Sequence, residues 1–417
     1  MFYSRNNIIR LYVFGLALLS IAIGTPYLVK LWTLDPAGLS PYSGRFAEWD
    51  YVNLWLGGKL ALLGRVSTIF DVDSYREFMG GFSHTHVDSQ EWSYPPSILL
   101  IGAPLATIPL FPSYLVWTFG GIASLFWALR AGALPLTLCF GALVSPAMFM
   151  NVVFGQNGGF SAAFLCGGLL LLRRQPVLAG ILFGLLTLKP HLGLMIPICL
   201  IAGRQWSAMA SAIVAAIALA VFTAICFGGE SWILFFERTA PMMRAILEAP
   251  YPQTYHASSA SIFTLVRSFD GGLAVAWVCQ TLAAQAAGVV VWRVWRAERS
   301  DDLAAIAVTI IATFVATPYA YMYDLAAYCV AVLMLVAMTL NNKELSTSTI
   351  GISLLMLAFY WFWPVLQNAA VRHTYYQFSS IVVLLTFGYA VANWASRAAS
   401  VRLDAAHDRG DPLAEPA

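Results

Sequence analysis

The feature that most constrains this chain is a succession of charge-free apolar runs. A bilayer core about 30 Å thick takes roughly 20 apolar residues of helix. Leu11–Val29 is the first such run. Trp92–Leu129, Ala131–Leu172, Gln205–Gly229, Gly271–Trp292, Leu303–Tyr323, Leu325–Asn342, Leu345–Val371 and His373–Ser396 follow. The expected fold class is therefore all-α: a polytopic membrane protein with about twelve transmembrane helices. Composition agrees. Of 417 residues, 59% are apolar and 11% charged, against about 25% charged in a soluble domain. A disordered chain, a nucleic-acid binder and an ordinary soluble enzyme are excluded on that ground. The net charge of +2 is too small to imply a polyanionic partner. The six cysteines all lie in apolar runs, with no CxxC pair. They read as small buried hydrophobes, not as a disulfide framework or a metal cluster.

Breaks and basic residues set the topology. Asn151–Gly159 splits the 131–172 run into two helices. Lys189-Pro190-His191 interrupts 177–203, which then crosses as two short helices, tolerated where they line a protein cavity. Pro95–Arg130 makes one net crossing, with part of it interfacial or re-entrant. The alternative is a hairpin at Pro109–Pro112 with one long kinked helix at 177–203. Either way Arg130, Arg173, Arg174, Arg204, Arg293, Arg296, Arg299, Lys343 and Arg397 share the cytoplasmic side with both termini. Residues 397–417 read as a disordered cytoplasmic tail. The outer face receives residues 31–94, then Gly155–Gly159, Lys189–His191, Gly229–Ser261, Thr317–Asp324 and Asn368–Tyr375. Nothing in the sequence shows the matching halves of many transporters.

The first outer loop carries the charge. Leu31–Glu91 holds eight acids and four bases, with His84 and His86. A loop of this length is more often functional than a bare connector. Phe46–Leu63 reads as an amphipathic helix lying on the membrane surface, Trp49 and leucines downward. Asp50 would sit near the interface; its plain reading is a helix N-terminal acid. His84-Thr85-His86 with Asp88 has metal-ligand chemistry, but a mobile polar loop is the preferred reading and no metal is expected. Lys189 is the only Lys, Arg, Asp or Glu between Arg174 and Arg204. Intramembrane charge is costly, so Lys189 is a functional candidate unless it snorkels. Neither a nucleotide fingerprint nor a Walker loop is present.

In order, the chain presents Trp49-Asp50-Tyr51, Ile69-Phe70-Asp71, Tyr94-Pro95-Pro96, Gly155-Gln156-Asn157, Ala179-Gly180 with Leu188-Lys189-Pro190, and Thr317-Pro318-Tyr319. From Ile8 to Trp394 it resembles the polytopic membrane glycosyltransferases of family 87, which include polyprenyl-phosphate-mannose-dependent mannosyltransferases. The resemblance implies a GT-C-like fold: a conserved seven-helix module over 1–228 with its long outer loop, then further helices over 229–396. It also implies that Asp50 is the catalytic acid of that loop. Tyr51-Val52-Asn53-Leu54-Trp55 departs from the tyrosines many relatives carry there, which bears on the acceptor side.

The implied reaction is inverting transfer of a mannose-like sugar from a polyprenyl phosphate to a lipid or glycan hydroxyl, at the outer face of a bacterial inner membrane. Asp50 would be the general base. Lys189 and His191 would meet the leaving phosphate. Gln156 and Asn157 would bind sugar hydroxyls, unless Asn157 simply caps a helix. Tyr94 would border the cavity and Tyr323 would stack on sugar. Asp324 reads as a helix-dipole partner. His256, in Tyr251–Ser259 of the second large outer loop, would be a further substrate contact, and that loop's Trp232–Leu247 stretch reads as interfacial and would cover a lipid donor. Arg45 and Arg372 would be secondary phosphate contacts. No cofactor is expected. The competing readings are a transporter or flippase of a lipid-linked glycan, with polar residues spread along the midplane, and a scaffold subunit indifferent to Asp50 and Lys189.

Overall fold

A computed structural model describes residues 5–36, 38–48, 50–82, 90–297 and 302–407. Nearly all of it is helix. In chain order we label α1 (Arg5–Trp32), the strand pair β1 (Leu39–Ser40) and β2 (Arg45–Phe46), α2 (Tyr51–Leu62), α3 (Val72–Phe82), α4 (Leu99–Leu105), α5 (Leu110–Ala131), α6 (Leu136–Leu143), α7 (Pro146–Phe154), α8 (Gly158–Leu171), α9 (Pro176–Leu185) and α10 (Ile196–Ala202). Then come α11 (Trp206–Phe227), α12 (Ala240–Glu248), α13 (Leu273–Arg296), α14 (Asp302–Ala316), α15 (Ala326–Asn341), α16 (Thr347–Thr374) and α17 (Ser379–His407). Among the described residues six helices are long and apolar enough to cross a membrane, or seven if α6 and α7, bent by 42°, form one span. Shorter apolar helices fill the space between them. The outward surfaces of α1, α11 and α13 expose Leu, Ile, Val and Phe, while α15 is buried from Ala326 to Leu340. That inversion is what lipid, not water, around the bundle produces.

The breaks fall where proline and glycine put them. Pro146 sits at the start of α7, with Ser145 accepting the Met148 N–H at 3.3 Å as its cap. Gly155 ends α7 in the left-handed region at φ +61°. Lys189 is extended (φ −142°, ψ 70°) between two single-turn helices, Leu186–Leu188 and Pro190–Gly193. The stretch after Pro95 is one short helix, α4, followed by the full-length α5. Two basic side chains meet the C-terminal end of α15. Arg5 donates to the Asn341 carbonyl at 3.0 Å, and Arg397 donates to that of Met338 at 2.9 Å.

Two expectations are corrected. The helix after Asp50 is not a surface helix. Tyr51 to Gly58 and Leu60 are all buried, because Gly57 and Gly58 leave no room for side chains. A Cβ on Gly57 would enter the Trp92 ring, and one on Gly58 would strike the Gly102 carbonyl of α4. The stretch expected to be a disordered tail begins as helix, since α17 runs past Arg397 to His407. Residues 408–417 lie outside the described residues.

Candidate functional site

Asp50 ends the turn that enters α2. Its backbone N–H donates to the Phe154 carbonyl at 3.1 Å, which ties it to the end of α7. Gly155 permits this approach: a Cβ there would lie 2.5 Å from the Glu48 carbonyl oxygen and 2.6 Å from Tyr51 Cβ. Asp50 stands at the N-cap of α2, yet its carboxylate makes no capping bond. Oδ2 instead accepts from Gln156 Nε2 at 2.9 Å, and Oδ1 from Gln90 Nε2 at 3.4 Å. Gln156 is fixed in turn, because the Tyr94 hydroxyl donates to its Oε1 at 3.1 Å. Burial pushes the Asp50 carboxyl up to about 6; the Gln156 hydrogen bond, then Arg45 and Lys189, pull the other way. A carboxylate in that range is ionised at neutral pH and still basic enough to take a proton.

Lys189 is buried and spoken for. Its ammonium donates to Asn157 Oδ1 at 2.7 Å and forms an ion pair with Asp324. It also lies 5.1 Å over the Tyr323 ring. Asp324 is 1% exposed, and its other oxygen accepts the Tyr321 N–H at 3.1 Å. Asn157 therefore does not cap α8 with its side chain; the Gly158 N–H is taken by Asn151 Oδ1. Glycine at 158 allows that, since a Cβ would meet the Tyr323 carbonyl.

Asp50 and Lys189 line one cavity of about 270 Å³. Gln156, Tyr94, His191 and Tyr323 line it too. His191 Nε2 is buried with no hydrogen-bond partner. Met243 and Ile246 of α12 and the preceding Phe235 line the same cavity. The 317–325 turn is stitched to the 258–260 segment by one isolated bridge: Ala260 N–H donates to the Ala320 carbonyl at 2.8 Å, and Met322 N–H to that of Ser258 at 3.0 Å. This brings Tyr255, Tyr321 and Tyr323 to one wall, with Tyr321 stacked on Tyr323. Burial raises the Tyr255 phenol to about 12. It is a donor, not an anion, at neutral pH.

His256 is not part of this wall. Its Nδ1 accepts the Gln253 N–H at 3.1 Å, its Nε2 faces the Leu247 carbonyl at 3.3 Å, and its ring stacks on Tyr251. It holds the loop, and its neighbour Tyr255 faces the cavity. Arg45 lies on β2, exposed, with its charge felt at Asp50. Sequence reasoning missed Gln90, Asn53 and Tyr255, and assigned Asp324 to a helix dipole when it pairs with Lys189. Among the described residues no cluster of three or more His, Cys, Asp or Glu is placed to hold a metal ion. His84, His86, Asp88 and Trp49 lie outside the described residues.

An acid held by two amides, beside a buried ion pair and a tyrosine wall, inside a bundle of apolar helices: these define an integral membrane protein with a polar cavity. The chain belongs to glycosyltransferase family 87, whose model matches residues 92–318. It is thus a glycosyltransferase that acts on a sugar donor and an acceptor. The match takes in Tyr94, Gln156, Asn157, Lys189 and His191; Asp50 lies before it and Tyr323 just after. Comparisons with curated proteins and with solved structures gave no match.

Proposed function

We propose that this protein is an inverting, GT-C-type mannosyltransferase-like enzyme that uses a polyprenyl-phosphate sugar and glycosylates a lipid or glycan hydroxyl at the outer face of a bacterial inner membrane. The observation that carries the reading is the Asp50 carboxylate, facing a cavity with both oxygens held by side-chain amides. The acceptor hydroxyl gives its proton to Asp50 as its oxygen attacks the anomeric carbon. The bond from that carbon to the phosphate oxygen breaks on the opposite side, and its electron pair leaves with the polyprenyl phosphate. Two of the three Lys189 N–H donors are taken by Asn157 and Asp324. The third, with His191 Nε2–H, meets the phosphate. Tyr323 and Tyr255 pack on sugar. Twelve crossings with both termini cytoplasmic bring this cavity to the outer side.

The test is transfer by the purified protein, with a panel of polyprenyl-phosphate sugars and membrane-lipid acceptors. Asp50→Asn should lower turnover by about 10²–10⁴-fold while leaving donor binding in place. A wild type that consumes no donor of the panel would count against the donor class. Full turnover in Asp50→Asn would remove Asp50 as the base.

A further inference from the structure

No residue of α3 lines the Asp50 cavity, yet α3 is bonded to the wall that does. Its Tyr75 is fully buried. The Tyr75 hydroxyl donates to Asn53 Oδ1 at 2.5 Å, with the Asn53 carbonyl oxygen 2.9 Å away. Asn53 lies one turn after Asp50 on α2 and is buried. Its Nδ2 donates to the Glu91 carbonyl at 2.9 Å. Chemistry fixes the direction of this chain. A carbonyl only accepts, so Asn53 must turn its amide nitrogen to Glu91 and its oxygen to Tyr75. A phenylalanine at 75 would leave that oxygen without its donor. The next side chain of α3 adds a second grip, because Arg76 forms an ion pair with the Glu91 carboxylate. One helix thus holds residue 91 at its backbone and at its side chain. The neighbouring Gln90 puts Nε2 on Asp50 Oδ1 at 3.4 Å.

The ring of Tyr75 leads to the other carboxylate oxygen. It meets Trp92 edge to face at 6.4 Å, and Trp92 meets Tyr94 in the same way at 5.5 Å. Tyr94 donates to Gln156, which donates to Asp50 Oδ2. Two routes therefore start at one side chain, a polar one from its hydroxyl and an apolar one from its ring. They end on the two oxygens of Asp50. We propose that Tyr75 is a positioning residue for the base: through Asn53 it fixes the backbone of Gln90 and Glu91, and so holds the Gln90 amide against Asp50. This rests on the reading of Asp50 as the base. Position matters because a base acts only within hydrogen-bond reach of the proton it takes. A buried chain of aligned hydrogen bonds supplies that position before substrate enters. The charged and titratable groups that face Asp50 are Arg45 of β2, Lys189, and the phenols of Tyr94, Tyr255 and Tyr323. Tyr75→Phe alters none of them.

Turnover and a substrate-free titration test it together. The full-length protein in detergent is assayed for transfer. Separately it is treated with dicyclohexylcarbodiimide across the acidic to neutral range. That reagent couples to protonated carboxyls, and mass spectrometry of the digest counts the label at Asp50. Tyr75→Phe keeps the ring against Trp92 and removes only the hydroxyl. It should lower kcat by about fivefold to tenfold and leave the donor KM within about twofold. The labelling midpoint of Asp50, near 6 in the wild type, should rise by about half a pH unit, because a hydrogen bond to the charged form is weakened. Asn53→Leu cuts the same chain at its next link and should move kcat and midpoint alike. Tyr12→Phe is the reference for a tyrosine hydrogen bond lost elsewhere, since that hydroxyl donates to the Leu354 carbonyl between α1 and α16. It should lower the melting temperature and leave kcat and midpoint as in the wild type. A wild-type kcat and midpoint in Tyr75→Phe, beside an impaired Asp50→Asn, overturn the proposal. So does an equal fall of kcat in Tyr75→Phe and Tyr12→Phe with the midpoint unmoved. Full turnover in Asp50→Asn would remove the base and this proposal with it, a failure read in a different variant.

Discussion

At the scale of single residues, the site is a set of dependencies on Asp50. Its carboxyl titrates near 6, and a base works only when ionised. Turnover should therefore rise as pH increases through about 6 and level off above it, in a pH–rate profile of the purified enzyme. The Gln156 hydrogen bond favours the charged form. Gln156→Leu should then move this limb to higher pH and lower turnover at pH 7 by about tenfold. A downward shift of the limb would contradict the assigned network. Lys189 raises a different question, because its charge is already balanced. Lys189→Met leaves the buried Asp324 carboxylate unpaired and should cost about 3–5 kcal/mol of stability. Adding Asp324→Asn should recover most of that loss in thermal unfolding in detergent. If Lys189 also meets the phosphate, the double variant folds but stays impaired in turnover.

Elements explain what the sequence made legible and what it hid. The breaks at Gly155 and at Lys189-Pro190 were readable because glycine and proline act locally. Lys189 stood out because it is alone between two arginine-flanked ends. Its partner was not readable: Asp324 is 135 residues away, and an acid before a helix has an ordinary local explanation. Asp50 became a catalytic candidate through family resemblance more than through its own surroundings. The helix after it was misread because Asp50 and Lys59 flank an apolar stretch, which imitates a surface helix. The signal that contradicts this is Gly57-Gly58, two residues with poor helix propensity that only close packing accounts for. His256 and Tyr255 differ by one position, and no pattern in a short loop tells which of two neighbours faces a cavity. Close packing also makes a prediction. Gly58→Ala puts a methyl against the Gly102 backbone, and should destabilise by about 1–3 kcal/mol. A melting temperature equal to wild type would show that α2 and α4 separate freely.

For the whole molecule, the distribution of apolar side chains is the organising fact. The long helices turn Leu, Ile and Val outward, and polar contacts are drawn inward to the cavity or to the bundle ends. The proposed orientation is open to direct test. In a Cys226→Ala background, Asp73→Cys should be labelled by a membrane-impermeant maleimide in intact cells, and Ser346→Cys only after permeabilisation. The reverse pattern would invert the topology and move the reaction to the cytoplasmic face. Two hydrogen bonds join α1 to α16, from the Tyr12 hydroxyl to the Leu354 carbonyl and from Trp361 Nε1 to Ser20 Oγ at 3.1 Å, and they have a consequence of another kind. The first helix to leave the ribosome meets Leu354 and Trp361 only after more than three hundred further residues have been made. Until then Tyr12 and Ser20 lack the Leu354 carbonyl and the Trp361 Nε1–H, so this contact is among the last in the protein to form.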